Sequence, residues 1–144
     1  MTLDSLFGIG NLAAMCGWIV LLGSRFFPVL ARRVSALAIP LLLSVAYAGL
    51  VLAFWHDAPG GFDSLDNVMR LFTSREIALA GWLHYLAFDL FLGAWEVRVA
   101  ERERIPFLLV APCLLLTFMF GPAGFLAFST LRLARFAMSR PVAA

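Results

Sequence analysis

The chain has 144 residues, of which 62% are hydrophobic and only 14% charged, and its mean hydropathy is +0.92. A water-soluble domain of this size carries far more charge, so the composition reads as an integral membrane protein of one domain, residues 1–144. The net charge of +2 is small. Every basic residue is an arginine confined to short segments, which leaves a nucleic-acid partner without footing and points to membrane orientation and headgroup contact.

Leu3 to Gly23 is the first apolar run, close to the ~20 residues that a bilayer requires. It opens with Asp4 rather than a basic segment, so it is expected to be a retained span and not a cleaved signal. Gly8, Gly10 and Gly17 would let a neighbouring helix approach closely, and Asn11 is placed to hydrogen-bond between helices. Cys16 and Cys113 both lie in apolar runs, where a thiol serves as a small hydrophobe; neither a disulfide nor a metal is expected. After a loop with Arg25, Arg32 and Arg33, a second span runs from about Ser35 to Trp55, with Pro40 in its early turns and Tyr47 well inside.

His56 to Glu76 is the longest polar stretch. Asp57-Ala-Pro-Gly-Gly61 signals a turn, and Leu65, Val68, Met69 and Phe72 recur at helical spacing, as in a short amphipathic helix at the membrane interface. Thr73 and Glu76 have the spacing of a capping box that opens the third span, Ile77 to Trp95. The charged turn Glu96–Arg104 follows, with Arg98 and Glu101 at pairing distance along a helix. Pro106 opens a fourth span, read as one helix kinked at Gly121-Pro122. The expected fold is therefore all-α, with four transmembrane helices and an interfacial helix between spans two and three. Four spans place five arginines on one side and six on the other, so charge leaves the orientation open.

Chemistry concentrates in Gly81–Glu96. At about 100° per residue, Trp82, Tyr85, Asp89, Gly93 and Glu96 fall on one stripe roughly 80° wide. His84 points the opposite way with Phe88, Phe91 and Trp95. Ionisable groups are costly in hydrocarbon and mark function by default. His84, Asp89 and Glu96 are accordingly the candidate acid–base residues. Trp82, Tyr85, Phe88, Trp95, Asn11, Tyr47, Gly121 and Pro122 are candidate ligand contacts. A structural polar knot between helices competes with this reading on equal terms. Axial haem ligation by His56 and His84 is a weaker alternative, since His56 lies at a loop boundary. A transporter built on the broken helix would need a repeat that the chain lacks.

The blocks Gly81-Trp-Leu-His-Tyr-Leu-Ala-Phe-Asp-Leu-Phe-Leu-Gly-Ala-Trp95 and Phe120-Gly-Pro-Ala-Gly124 resemble the abscisic-acid-deficient-four-like family, small four-span membrane proteins whose plant members are required for neoxanthin synthesis. The resemblance implies isomerisation of an epoxy-carotenoid to an allenic one. That reaction needs an acid for the epoxide oxygen and a base for a vinylic proton, and no redox cofactor. His84, Asp89 and Glu96 stand at motif positions with suitable chemistry. A short, lysine-free chain without a transit peptide fits a bacterial inner membrane, which leaves the substrate open. It equally fits a pigment-binding subunit of a membrane complex, and a homo-oligomer is also open.

Overall fold

The computed structural model describes residues 2–139. It is all-helical, with no strand among the described residues. Helix α1 spans Leu3–Leu22, and Thr2 caps it by accepting from the Ser5 amide at 3.1 Å. Helix α2, Pro28–Arg33, runs through a π-helical segment, Val34–Ala38, into α3, Ile39–Phe54. The second long helix thus starts seven residues before the expected Ser35, because Pro28 is preset for a first helical turn. Pro40 offers no N–H to the carbonyl four residues back, which leaves the preceding turn free to widen. The widened turn carries Ser35, fully buried, onto α1, where its hydroxyl donates to the Gly17 carbonyl at 2.7 Å.

The expected helix in the long loop is α4, Leu65–Leu71, capped by Ser64. Its Leu65 and Met69, with Phe72 just beyond, are exposed while Leu71 is buried. Helix α5, Arg75–Arg102, is the longest at 28 residues. Its cap is Ser74 rather than Thr73: Ser74 accepts from the Ile77 amide at 3.3 Å and donates to Glu76 at 2.9 Å, whereas Thr73 turns back to the Arg70 carbonyl. By length and composition, three helices can cross a membrane: Leu3–Leu22, Pro28–Phe54 and Arg75–Arg102.

The fourth stretch departs from expectation. It is not one kinked helix but two, α6 (Phe107–Phe120) and α7 (Pro122–Ser139). Gly121 takes φ +28° between them, and Pro122 begins the new helix. A Cβ on Gly124 would lie 2.2 Å from the Thr117 amide nitrogen and 2.5 Å from its Cα, so α7 doubles back along α6. The return is complete by Arg132, whose guanidinium binds Glu103 in the loop before α6, with Nε 2.8 Å from Oε2. Fourteen residues at about 1.5 Å each make α6 roughly 21 Å long, short of the ~30 Å hydrocarbon core.

Contacts divide the chain into two compact units, Met1–Phe91 and Leu92–Ala144. In the first unit α1 and α5 pack in parallel through a seven-residue register. A Cβ on Gly10 would lie 2.6 Å from Leu83 and one on Gly17 would lie 2.4 Å from Leu90. Asn11 meets Trp82 and Asp4 meets Arg75 in the same register. Small residues at that spacing let two helices approach to backbone distance, as expected of Gly10 and Gly17, whereas Gly8, expected to do the same, has nothing within 4 Å of a Cβ. The core around them is Ala14, Leu43, Leu50, Leu79, Ala80, Leu83 and Ala87.

The second unit holds the end of α5 and the α6–α7 hairpin. Trp95 packs there against Phe125 and Phe128 of α7, ring centroids 5.8 Å apart in each case. The expected Arg98–Glu101 pair does not form; the bonded acid is Glu103. Hydrogen bonds from Arg132 hold the Glu103 carboxyl below its ordinary range. A group with a lowered folded pKa contributes stability above its unfolded pKa of about 4.3 and loses it as pH falls through the folded value. Because both side chains are about a third exposed, screening leaves the pair worth less than about 1 kcal/mol. Glu103→Gln is expected to flatten this small acid-sensitive part of the melting temperature below about pH 4.5 in detergent. Superimposable wild-type and variant curves would show that the pair contributes nothing.

Candidate functional site

The candidate residues separate into three settings. The stripe expected on one side of α5 is real near its start. Trp82 donates to Asn11 Oδ1 at 2.9 Å and stacks on Tyr85, centroids 5.4 Å apart at 23°. Tyr85 in turn hydrogen-bonds Asp89. Asp89 is only 7% exposed, and its Oδ2 has no hydrogen-bond partner among the described residues. Asn11 therefore acts as an interhelical hydrogen bonder.

Seven residues on, Glu96 belongs to the second unit and is completely buried. Its oxygens lie 2.9 and 3.0 Å from the Thr117 hydroxyl, which is also 3.0 Å from the Cys113 carbonyl. A hydroxyl has one hydrogen and two acceptor positions. It can give that hydrogen to an ionised Glu96. It can equally give it to Cys113 and accept from a protonated Glu96, so it satisfies the acid in either state. The turn at Gly121 and Pro122 holds this arrangement in place, because Gly124 seats directly on Thr117. Those turn residues support Glu96 from within the hairpin. Thr117 was not among the sequence candidates. Its signal was a lone hydroxyl in an apolar run, four residues after Cys113 and seven before Gly124.

The other side of α5 faces α3, which runs antiparallel to it. His84 stacks on Phe88, centroids 4.6 Å apart at 16°, and meets the edge of Tyr47 at 5.6 Å. Two cavities follow one another along this seam. One, about 290 Å³, reaches from Trp55, Phe62 and Phe72 down to Tyr47, Gly81 and His84. The next, about 260 Å³, is lined by Leu37, Pro40, Leu41, Ser44, Phe88 and Phe91, among others. Between Ile77 and Phe91 the two cavities cover about 21 Å of α5 at 1.5 Å per residue. Trp95 lines neither cavity; its ring packs on Phe125 and Phe128 of α7. His56 is far less suited to a ligand role than His84. Its side chain is almost fully exposed and sits beside Asp57.

Helices of membrane-crossing length, buried carboxylates and an aromatic seam define the class: a helical membrane protein that holds polar side chains within its apolar helices. The chain belongs to the family described as ABA DEFICIENT 4-like, which matches residues 5–128. Membership relates it to the carotenoid and abscisic-acid pathway. No curated protein and no solved structure matches it.

Proposed function

We propose that the protein binds a carotenoid-like polyene along the α3–α5 seam and isomerises it by proton transfer, as a multi-pass protein of a bacterial inner membrane. The observation that carries this reading is the succession of two cavities along the seam, the first lined by His84 and Tyr47 and the second by Phe88 and Phe91. A polyene is long, narrow and apolar, and a shallow groove floored by aromatic rings and aliphatic side chains complements it along its length. Of the three candidate acid–base residues, only His84 lines the seam. Asp89 and Glu96 line neither of these two cavities, so His84 is the acid–base residue this reading assigns to the seam. The exposed apolar residues of α4 suit a helix lying at the interface near one end of the seam.

The chemistry is an internal rearrangement. Removal of a vinylic hydrogen supplies the electrons for a new cumulated double bond. The adjoining epoxide carbon–oxygen bond breaks, and the oxygen takes up a proton to become a hydroxyl. One proton leaves and one arrives, so oxidation state is unchanged. The oxygen and the vinylic hydrogen lie on neighbouring carbons, which lets a single imidazole serve both steps.

A second reading, a pigment-binding subunit without turnover, is favoured by the cavity beside Phe88 and Phe91, where Ser44 is the only polar side chain in the lining. One experiment serves both. Carotenoids are extracted from a violaxanthin-producing host with and without this gene, and the purified protein is examined for bound pigment. An isomerised product supports the enzyme, and an unchanged profile with coloured protein supports the binding subunit. An unchanged profile with colourless protein overturns both.

A further inference from the structure

We infer that the chain crosses the membrane three times and ends in a helical hairpin that enters and leaves by one face, and that this face is the cytoplasmic one. The inference rests on the turn at Gly121, the length of α6 and the placement of the arginines, and is independent of the proposed reaction.

Crossings are counted along the chain. Helix α1 carries it from the side of Thr2 to the side of Gly23. The long helix Pro28–Phe54 brings it back to the side of the Trp55–Ser74 loop, and α5 returns it to the side of Glu103. Packing in the first unit agrees with that alternation: α1 and α5, two crossings apart, run parallel through the register Gly10–Leu83 and Gly17–Leu90. Beyond Glu103 the count changes. A single kinked fourth helix would carry the C-terminal arginines to the opposite side. The Arg132–Glu103 hydrogen bonds instead keep them at the mouth of the hairpin, beside the loop where α6 begins.

The consequence for charge is large. By this count of crossings, Arg25, Arg32, Arg33, Arg102, Arg104, Arg132 and Arg135 are assigned to one side of the membrane, with Glu101 and Glu103 as the acids among them. The other face keeps only Arg70 and Arg75, against Asp4, Asp57, Asp63, Asp66 and Glu76. Arg75 is itself bound to Asp4 at 2.8 Å. Near-parity between the two sides becomes a strong bias, and such a bias places the arginine-rich side in the cytoplasm, against the anionic headgroups of the inner leaflet. The hairpin mouth has a matching character. A cavity of about 380 Å³ there is lined by Arg132, Arg135 and Glu103 together with Ile105 and Phe136, as a headgroup boundary requires.

The test is site-specific labelling of the full chain in intact bacterial cells with a membrane-impermeant maleimide. In a background carrying Cys16→Ala and Cys113→Ser, Asp57→Cys is expected to react from outside, and Met138→Cys only after the cells are permeabilised. Reaction of both positions from the same side would restore four crossings and overturn the inference, and the reverse pattern would overturn its orientation. Should the background fail to accumulate, C-terminal fusions to the unaltered chain decide. Fluorescence of a green fluorescent protein without alkaline phosphatase activity is expected, and an active phosphatase would sink the proposal.

Discussion

Gly124→Ala is expected to be the most damaging single-methyl change in the protein. The added carbon would sit 2.0 Å from Thr117 Oγ1, 2.2 Å from its amide nitrogen and 2.5 Å from its Cα. Two of these atoms are backbone and cannot swing aside, so α6 and α7 must separate. Overpacking of a rigid contact costs about 1–3 kcal/mol and sometimes more. Here the separation also pulls Thr117 from Glu96 and breaks a hydrogen bond to a buried carboxyl group, at a further cost of about 1–3 kcal/mol. The melting temperature of the detergent-solubilised variant should fall by 10 °C or more, roughly what a few kcal/mol amounts to in a chain of this length. Gly8→Ala is the control, because nothing lies within 4 Å of a Cβ there and alanine favours a helix by about 0.5–1 kcal/mol. Equal stability of Gly124→Ala and wild type would rule out the close hairpin contact.

That contact also explains why the sequence conveyed the place of the break but not its form. Gly121, Pro122 and Gly124 mark an interruption under any reading. What separates a kink from a reversal is the pairing of Gly124 with Thr117 and of Arg132 with Glu103, and both are set by packing between the two helices rather than by the pattern within either. The length and apolarity of α1, Pro28–Phe54 and α5 were legible because each is a property of one continuous segment. The glycine register of α1 was legible as a capacity for close approach, while its partner, the Leu83–Leu90 edge of α5, needed the folded unit.

The division of α5 into faces was likewise legible, since helical periodicity fixes which residues share a side. What each face meets was not. Asn11 finds Trp82, and Glu96 finds Thr117 across the hairpin. Trp95, on the aromatic side by angle, packs on Phe125 and Phe128 of the hairpin. The three ionisable residues therefore look equivalent in one dimension and differ in three. Asp89 and Glu96 are buried among helices, whereas His84 borders an accessible groove.

His84→Phe is the substitution that separates catalysis from binding. Phenylalanine keeps a flat ring over Phe88 and beside Tyr47, so the seam retains its shape and its affinity for a polyene. It carries no exchangeable proton. A positioned acid–base group contributes about 10²–10⁴-fold to rate, so product should fall at least about 100-fold while pigment continues to co-purify. Asp89→Asn is the companion variant. The amide keeps an acceptor for Tyr85 but cannot trade a proton at neutral pH. With Asp89 off both cavities, its product yield should stay within a few-fold of wild type. The measurement is carotenoid composition of the producing host together with the absorbance of each purified variant. Loss of product in Asp89→Asn with full activity in His84→Phe would move the proton-transfer role to the stripe facing α1. Loss of bound pigment in His84→Phe would mean that the imidazole anchors the polyene rather than reacting with it.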